Sequence, residues 1–253
     1  MRALIVVANP HSGSFNAQMA ALAVETLSAS GHTVEVSDLY AMNFDPREGP
    51  RHYANRAQTD VFDVQAEQRS AARRGMLPSD AQREFDKVMR ADLLILQYPT
   101  WWFSVPAILK GWIDRVLVYG GTYTSERRYD RGLLIGKRAM LSVTFGGAEQ
   151  TFAHNGRNGD VDLLLWPMQM TLFYVGYQVL SPFTAFSVAG ASTEAGKAAV
   201  SERLGRYKTL YRERLLSIDD APALKFNGWA DWDDTGRLKP GIPGYSKFMR
   251  ADP

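Results

Sequence analysis

Three short stretches of this chain combine residue types that can do chemistry. The first is His11-Ser12-Gly13-Ser14-Phe15-Asn16, directly ahead of a helical pattern. A helix N-terminus presents unpaired N–H groups and the positive end of a dipole, a setting that suits an anion such as phosphate. Ser12, Ser14 and Asn16 add donors, although a turn followed by a capped helix uses the same residues with no ligand. The second stretch is Pro99-Thr100-Trp101-Trp102-Phe103-Ser104-Val105-Pro106. Its aromatic run follows the end of an apolar run, so core packing explains it poorly. A planar ligand such as an isoalloxazine or nicotinamide ring explains it better, and an interface patch is the rival reading. The third stretch is Thr144-Phe145-Gly146-Gly147. Adjacent glycines let backbone N–H groups approach a ligand, as the N1/O2 side of a flavin would require, and a plain turn is the alternative.

Other chemistries lack their residues. With no cysteine, disulfides, thiol catalysis and zinc–thiolate sites are excluded. The histidines, His11, His32, His52 and His154, show no metal-ligand spacing. The 9–16 loop is not a G-x-G-x-x-G turn. Gly132 to Arg138 fails as a phosphate-binding P-loop, because the spacing is one residue short and no Ser or Thr follows the lysine. The formal net charge is +2, and Arg73-Arg74 and Arg127-Arg128 are isolated pairs rather than the basic stripe of a nucleic-acid binder. No apolar run approaches the roughly 20 residues that span a bilayer. The apolar run after Arg2 is too short for a secretion signal, so a cytoplasmic location is expected.

The elements that must position these loops can be read from periodicity. Ala3–Ala8 is apolar on both faces, as in a buried parallel strand. A helix is predicted from about Asn16 to Ser28, with Met19, Leu22, Ala23 and Leu27 on one stripe, then a strand at Thr33–Val36. Residues 40–78 are a charged excursion with some helix near 65–74, and a helix follows to about Arg90. Asp92–Gln97 is a third strand, Pro106–Tyr119 a helix, Gly120–Gly136 a hairpin or extended loop, and Arg138–Thr144 a fourth strand. A helix at about Val161–Val175 leads to a fifth strand near Tyr177–Leu180, then to a last helix at Thr193–Leu216. This alternation predicts an α/β protein: a doubly wound, parallel five-stranded sheet with helices on both faces. Residues 1–218 would form the domain, and 219–253 an irregular tail packed on its surface or on a partner subunit. In such sheets ligands bind at the carboxyl ends of strands, which is where the three loops fall.

Taken together these stretches resemble the FAD-dependent NAD(P)H:quinone dehydrogenase (DT-diaphorase) family of flavodoxin-like quinone reductases. The matching residues include Ser14-Phe15-Asn16, Ser37 to Phe44, Pro99 with Trp102-Phe103, Val105 to Trp112, Gly146-Gly147, Gly159-Asp160, Leu165-Trp166-Pro167 and Gln178 to Leu180. The resemblance implies a flavodoxin-like fold, bound FAD (with FMN open), and NADH or NADPH as reductant. It further implies hydride transfer to a quinone and a homodimer with shared active sites. By position it places His11, Ser14, Phe15 and Asn16 along the FAD phosphates. Pro99, Thr100, Trp101, Trp102 and Phe103 would line the isoalloxazine, and Thr144, Phe145, Gly146 and Gly147 would hold its pyrimidine end. Trp102, Phe103, Phe152 and Tyr123 would face substrate, Tyr123 from the partner subunit. A flat apolar slot of this kind accepts many planar acceptors, so azo and nitro compounds are expected beside quinones.

The departures fall on the proton relay. The tyrosine and histidine of the resembled family stand here as Phe152 and Asn158. Phenylalanine cannot donate a proton, and asparagine can hydrogen-bond but cannot charge; His154, four residues before Asn158, is the candidate substitute acid, with a solvated loop histidine as the rival reading. The family's glutamine beside the first aromatic is Trp101 here, and its arginine near the adenine end has no clear counterpart. Rival readings are a regulatory flavoprotein subunit of a membrane transporter, an FMN-dependent azo- or nitroreductase, and a one-electron flavodoxin-type carrier. The last is disfavoured by a pI of about 8.8.

Overall fold

The computed structural model describes the chain except for residues 58, 59, 247 and 250–253. Its elements in order are β1 (Arg2–Val7), α1 (Phe15–Ala29), β2 (Thr33–Asp38), α2 (Val64–Arg74), α3 (Ser79–Arg90), β3 (Leu93–Pro99), α4 (Ala107–Val116), β4 (Arg138–Thr144), α5 (Val161–Tyr174), β5 (Gln178–Val179), β6 (Phe183–Ala185) and α6 (Glu194–Leu216). The sheet order is β2-β1-β3-β4-β5, with β6 also on β4, and every ladder is parallel.

Strand period two sorts the side chains of β1 between two cores. Ala3, Ile5 and Val7 face Met19, Leu27, Tyr211 and Leu215 of α1 and α6. Leu4, Val6 and Ala8 face Val88, Leu109, Trp112 and Leu172 of α3, α4 and α5. Both faces are therefore covered, which is why the strands read as continuous apolar runs.

One element differs from the sequence reading, and another resolves an alternative it left open. The expected fifth strand is broken into β5 and β6. Pro182 has no N–H to give the ladder, and the Ser181 amide turns away to the Pro222 carbonyl at 2.8 Å. The tail continues this contact: Leu224 N–H donates to Val179 O at 2.8 Å, and Phe226 stacks on Phe173 at 4.4 Å between centroids. Of the two readings of the 120–136 segment, a hairpin or an extended loop, the loop holds. The bridge between Tyr119 and Tyr123 is parallel, and the chain beyond it runs through turns to a 3₁₀ turn at Tyr129–Arg131.

Buried charges lock the helices of one face, and periodicity does not reveal them. The Glu84 carboxylate accepts from Trp112 Nε1 at 2.9 Å and from Lys87 Nζ at 2.7 Å, and Lys87 also donates to Ser37 Oγ at 2.9 Å. Arg115 on α4 is 1% exposed. Its guanidinium donates to both Asp80 oxygens, at 2.6 and 2.9 Å, and to the Asp45 carbonyl at 2.6 Å. One turn earlier, a side chain at Gly111 would put its Cβ 2.1 Å from the Pro46 carbonyl oxygen. The excursion lies directly on α4 there, and only glycine fits.

Desolvation raises the Asp80 carboxyl, but the Arg115 guanidinium beside it outweighs this and leaves it below the ordinary carboxylate value. A depressed carboxylate stabilises the fold above the unfolded-state pKa, about 3.9, and stops doing so as pH falls through the folded value. Asp80→Asn should therefore lose about 2 kcal/mol at pH 7, less than a fully buried pair because Asp80 is partly exposed. Urea unfolding should show that deficit shrinking below about pH 4, where the wild-type carboxyl also protonates. A deficit that stays constant to pH 3 would mean that shape, not charge, is what the substitution removes.

Candidate active site

The carboxyl ends of β1, β3 and β4 are tied together by a buried polar relay. Gln97 Nε2 donates to Asn16 Oδ1 at 2.8 Å, and Asn16 Nδ2 donates to Thr144 Oγ1 at 2.9 Å. Backbone bonds reinforce the edge: Ala8 N–H to Gln97 O at 3.0 Å and Thr100 N–H to Thr144 O at 2.8 Å. The 9–16, 98–106 and 144–160 loops therefore leave the sheet side by side.

Ser14 caps α1, its hydroxyl accepting from Ala17 N–H at 3.2 Å. The first-turn amides of Phe15 and Asn16 meet no acceptor among the described residues. His11 is exposed and folds its ring over Gly13. The side chains of Phe15 and Asn16 are buried, Phe15 among the core residues under α1 and Asn16 in the relay. Only their backbone faces the loop.

The aromatic loop is a two-residue hairpin. Trp101 and Ser104 exchange N–H···O bonds of 3.0 and 3.1 Å, and Trp102 and Phe103 at the tip have φ of +49° and +60°. Two consecutive positive φ values mark a turn that favours Asn-Gly, and bulky rings there are strained. The tip is also open: Trp102 is 95% exposed, Phe103 52% and Trp101 41%. Neither tip amide has an acceptor among the described residues. Below the tip, Phe103 joins Tyr98, Leu165 and Met168 around a cavity of about 70 Å³, into which Thr100 also faces. Thr100 Oγ1 is buried there without a hydrogen-bond partner.

The third loop divides in two. Thr144 and Phe145 belong to the interior: Thr144 Oγ1 is in the relay, the Phe145 N–H is bonded to Ala185 O at 2.8 Å, and the Phe145 ring stacks on Phe186 at 4.7 Å. Gly146 and Gly147 are the accessible part. Their amides meet no acceptor among the described residues, and a Cβ at Gly146 would point into open space. Phe152 does not offer the open wall expected of it. It is buried against Phe145 at 4.8 Å, because the loop folds back over Gly147. Asn158 closes that fold: its Nδ2 donates to Thr151 Oγ1 at 2.9 Å and its N–H to Thr151 O at 2.8 Å. His154 is exposed on the same loop.

Tyr123 lies away from the three loops. It is half-buried, edge-on to Tyr119 and Tyr174 at 5.4 and 5.2 Å, on the wall of a cavity of about 610 Å³ between α2, α4 and α5. The sequence reading missed Gln97 and Phe186. The signal for Gln97 was present, since it is the one polar residue within an otherwise apolar strand that runs to Tyr98. Phe186 carried none, because its role depends on β6 lying beside β4.

The residues fit a flavin. Flat exposed rings, unpaired amides on two loops, a vacant approach at Gly146 and a capped helix N-terminus supply a stacking surface, donors and an anion site along one sheet edge. Among the described residues no cluster of His, Asp or Glu could hold a metal ion, and no helix is long and apolar enough to cross a membrane.

Comparison with known proteins agrees with this geometry. A family model described as a flavodoxin-like fold matches residues 1–210. Ribosyldihydronicotinamide dehydrogenase (quinone) of Homo sapiens is 44% identical over 214 residues, 84% of this chain and 93% of that protein. NAD(P)H dehydrogenase (quinone) 1 of Rattus norvegicus is 38% identical over 228 residues, 89% and 82% of the two chains. A solved structure from Klebsiella pneumoniae, named for quinone reductase, superposes with a TM-score of 0.88 at 32% identity, covering 98% of each chain. That match includes the tail. On fold, edge geometry and sequence alike, this chain belongs to the flavodoxin-like NAD(P)H:quinone dehydrogenase family.

Proposed function

We propose that the protein is a flavin-dependent NAD(P)H:quinone oxidoreductase that holds FAD and works as a homodimer in the cytoplasm. The observation that carries this reading is the Trp102-Phe103 tip: two large rings held at positive φ and open to solvent, beside unpaired amides on the same sheet edge. Strain at such a tip persists where function requires the rings. The flavin supplies two-electron hydride transfer between nicotinamide and quinone.

The chain's part is binding and orientation. The unpaired amides of Phe15 and Asn16 would hold the cofactor's phosphate at the α1 terminus, and those of Gly146 and Gly147 would hold its pyrimidine edge. Trp102 and Phe103 form a flat wall for nicotinamide and quinone in turn. Pro99, Thr100 and Trp101 set the height of that wall. Tyr123 reaches a substrate only from a second copy of the chain, since its own protomer keeps it on the α4–α5 face. Protons pass through the 152–158 loop. Phe152 has no proton to give, Asn158 holds the loop, and His154 is the exposed group able to donate. A planar acceptor stacked on apolar rings is discriminated weakly, so quinones, azo and nitro compounds all qualify.

Three experiments test this reading. The purified protein should be yellow, release FAD by mass, and bleach with NADH or NADPH until a quinone restores the colour. A colourless protein unable to take up flavin would sink the reading, and release of FMN would correct the cofactor. The double substitution Trp102→Asn with Phe103→Gly installs the residues the turn prefers. It should raise stability by about 1 kcal/mol or more while slowing quinone reduction, because strain goes and the rings go with it. Equal activity would show that the rings are not the substrate wall. His154→Ala should slow reoxidation by quinone about 10²-fold, with partial recovery on adding free imidazole. An unaltered rate would assign the proton to water.

A further inference from the structure

A cavity of about 390 Å³ lies at the opposite end of the sheet from the three loops. Its wall includes Gln178 and Val179, which pair with Arg138 and Ala139 at the start of β4. The candidate active site opens where β4 ends, at Thr144. The volume is in the range of small-molecule sites. The strap of tail makes the facing wall. Leu224 N–H donates to Val179 O at 2.8 Å, and Ala223 pairs with Leu180 as an antiparallel bridge, so backbone bonds fix that wall to β5. Phe226 stacks on Phe173 with 13° between the ring planes.

A later stretch of tail is folded back to complete the rim. Asn227, 6% exposed, makes that return: its Nδ2 donates to Pro243 O at 2.9 Å and to Asp231 Oδ2 at 3.2 Å, and its Oδ1 accepts from Tyr245 N–H at 3.0 Å. Tyr245 is thereby held in the cavity wall, where it stays 41% exposed. Lys225 Nζ lies 5.9 Å from the centroid of that ring. Among the described residues no Asp or Glu lines the cavity, and Lys225 is its one charged residue. Aromatic faces beside an uncompensated ammonium suit a ligand that is flat and negative. Gln178 adds an amide donor. One ammonium and one amide match a carboxylate, whereas the wall holds no guanidinium fork and no helix N-terminus for a phosphate.

We infer that this cavity binds a small aromatic carboxylate, with its ring against Phe226 and Tyr245 and its carboxylate on Lys225. Such a ligand touches β5 and the tail together, so it holds the tail on the sheet. The site is separate from the flavin edge and does not rest on the oxidoreductase reading.

The test uses the protein with its own flavin and three probes: 2-naphthoate, the uncharged 2-naphthalenemethanol and the non-aromatic cyclohexanecarboxylate. Calorimetry measures binding while the flavin absorbance is recorded. 2-Naphthoate should bind about fivefold or more tighter than either other probe, since only it offers both ring and charge. It should leave the flavin spectrum unchanged and slow tryptic cleavage after Lys225. Lys225→Met should bring 2-naphthoate to within about twofold of the alcohol, and Tyr245→Ala should weaken both aromatic probes. Both positions are exposed, so neither variant puts folding at stake. Equal binding of all three probes, no binding at millimolar concentration, or binding that both variants keep would overturn the inference. Binding kept by both variants together with a shifted flavin spectrum would place the probe at the Trp102-Phe103 tip instead. If the probes fail while the protein keeps a reducible flavin spectrum, only this inference falls. If they bind to a protein that takes up no flavin, the proposed activity falls and the site stands.

Discussion

The hydrogen-bonded chain from Gln97 through Asn16 to Thr144 is the interaction on which the candidate site depends. It joins the end of β3, the first turn of α1 and the end of β4, so three loops distant in sequence share one origin. Each member is buried, so removing one partner would leave polar groups unsatisfied at a cost of about 1–3 kcal/mol. The relay also explains an apparent inefficiency. Asn16 and Thr144 look like ligand donors in the sequence but are occupied by each other, which leaves the backbone amides beside them as the unpaired donors among the described residues. Amides fixed by a sheet edge and a helix start need little reorganisation when charge develops near them.

A contrast in rigidity follows. The relay, the Phe145–Phe152–Phe186 cluster and the Asn158–Thr151 tie make a stiff floor. Above it stands a short hairpin whose tip residues are in a backbone region they disfavour. Structure of this kind places strain where a ligand can stabilise it and keeps the platform from relaxing with it.

The fold was legible because its strands are buried on both faces and its helices repeat apolar residues at helical spacing, as Met19, Leu22, Ala23 and Leu27 do on α1. β1, β3, β4 and the helices between them follow directly from period and punctuation, and the three loops from the rule about strand ends. The losses have local causes. The break between β5 and β6 depends on what the Ser181 amide finds instead of β4, and Pro182 only hints at it. The inward turn of Phe152 and Phe145 depends on Phe186, which no local pattern brings near. Burial of Glu84 and Arg115 is a matter of partners on other helices, and a polar residue in a helical stripe gives no sign of them. The positive φ at Trp102 and Phe103 could not be read at all, since the residue types argue against that turn.

The strap of tail across the β5–β6 border has a wider consequence. A parallel sheet ends in a strand whose outward N–H and C=O groups can recruit any extended peptide, including another copy of the same protein. Here those groups at Val179 and Ser181 are already paired with Leu224 and Pro222. A few residues past the last helix thus act as a guard against self-templated association, and the order of that border is set by a segment that contributes no strand of its own.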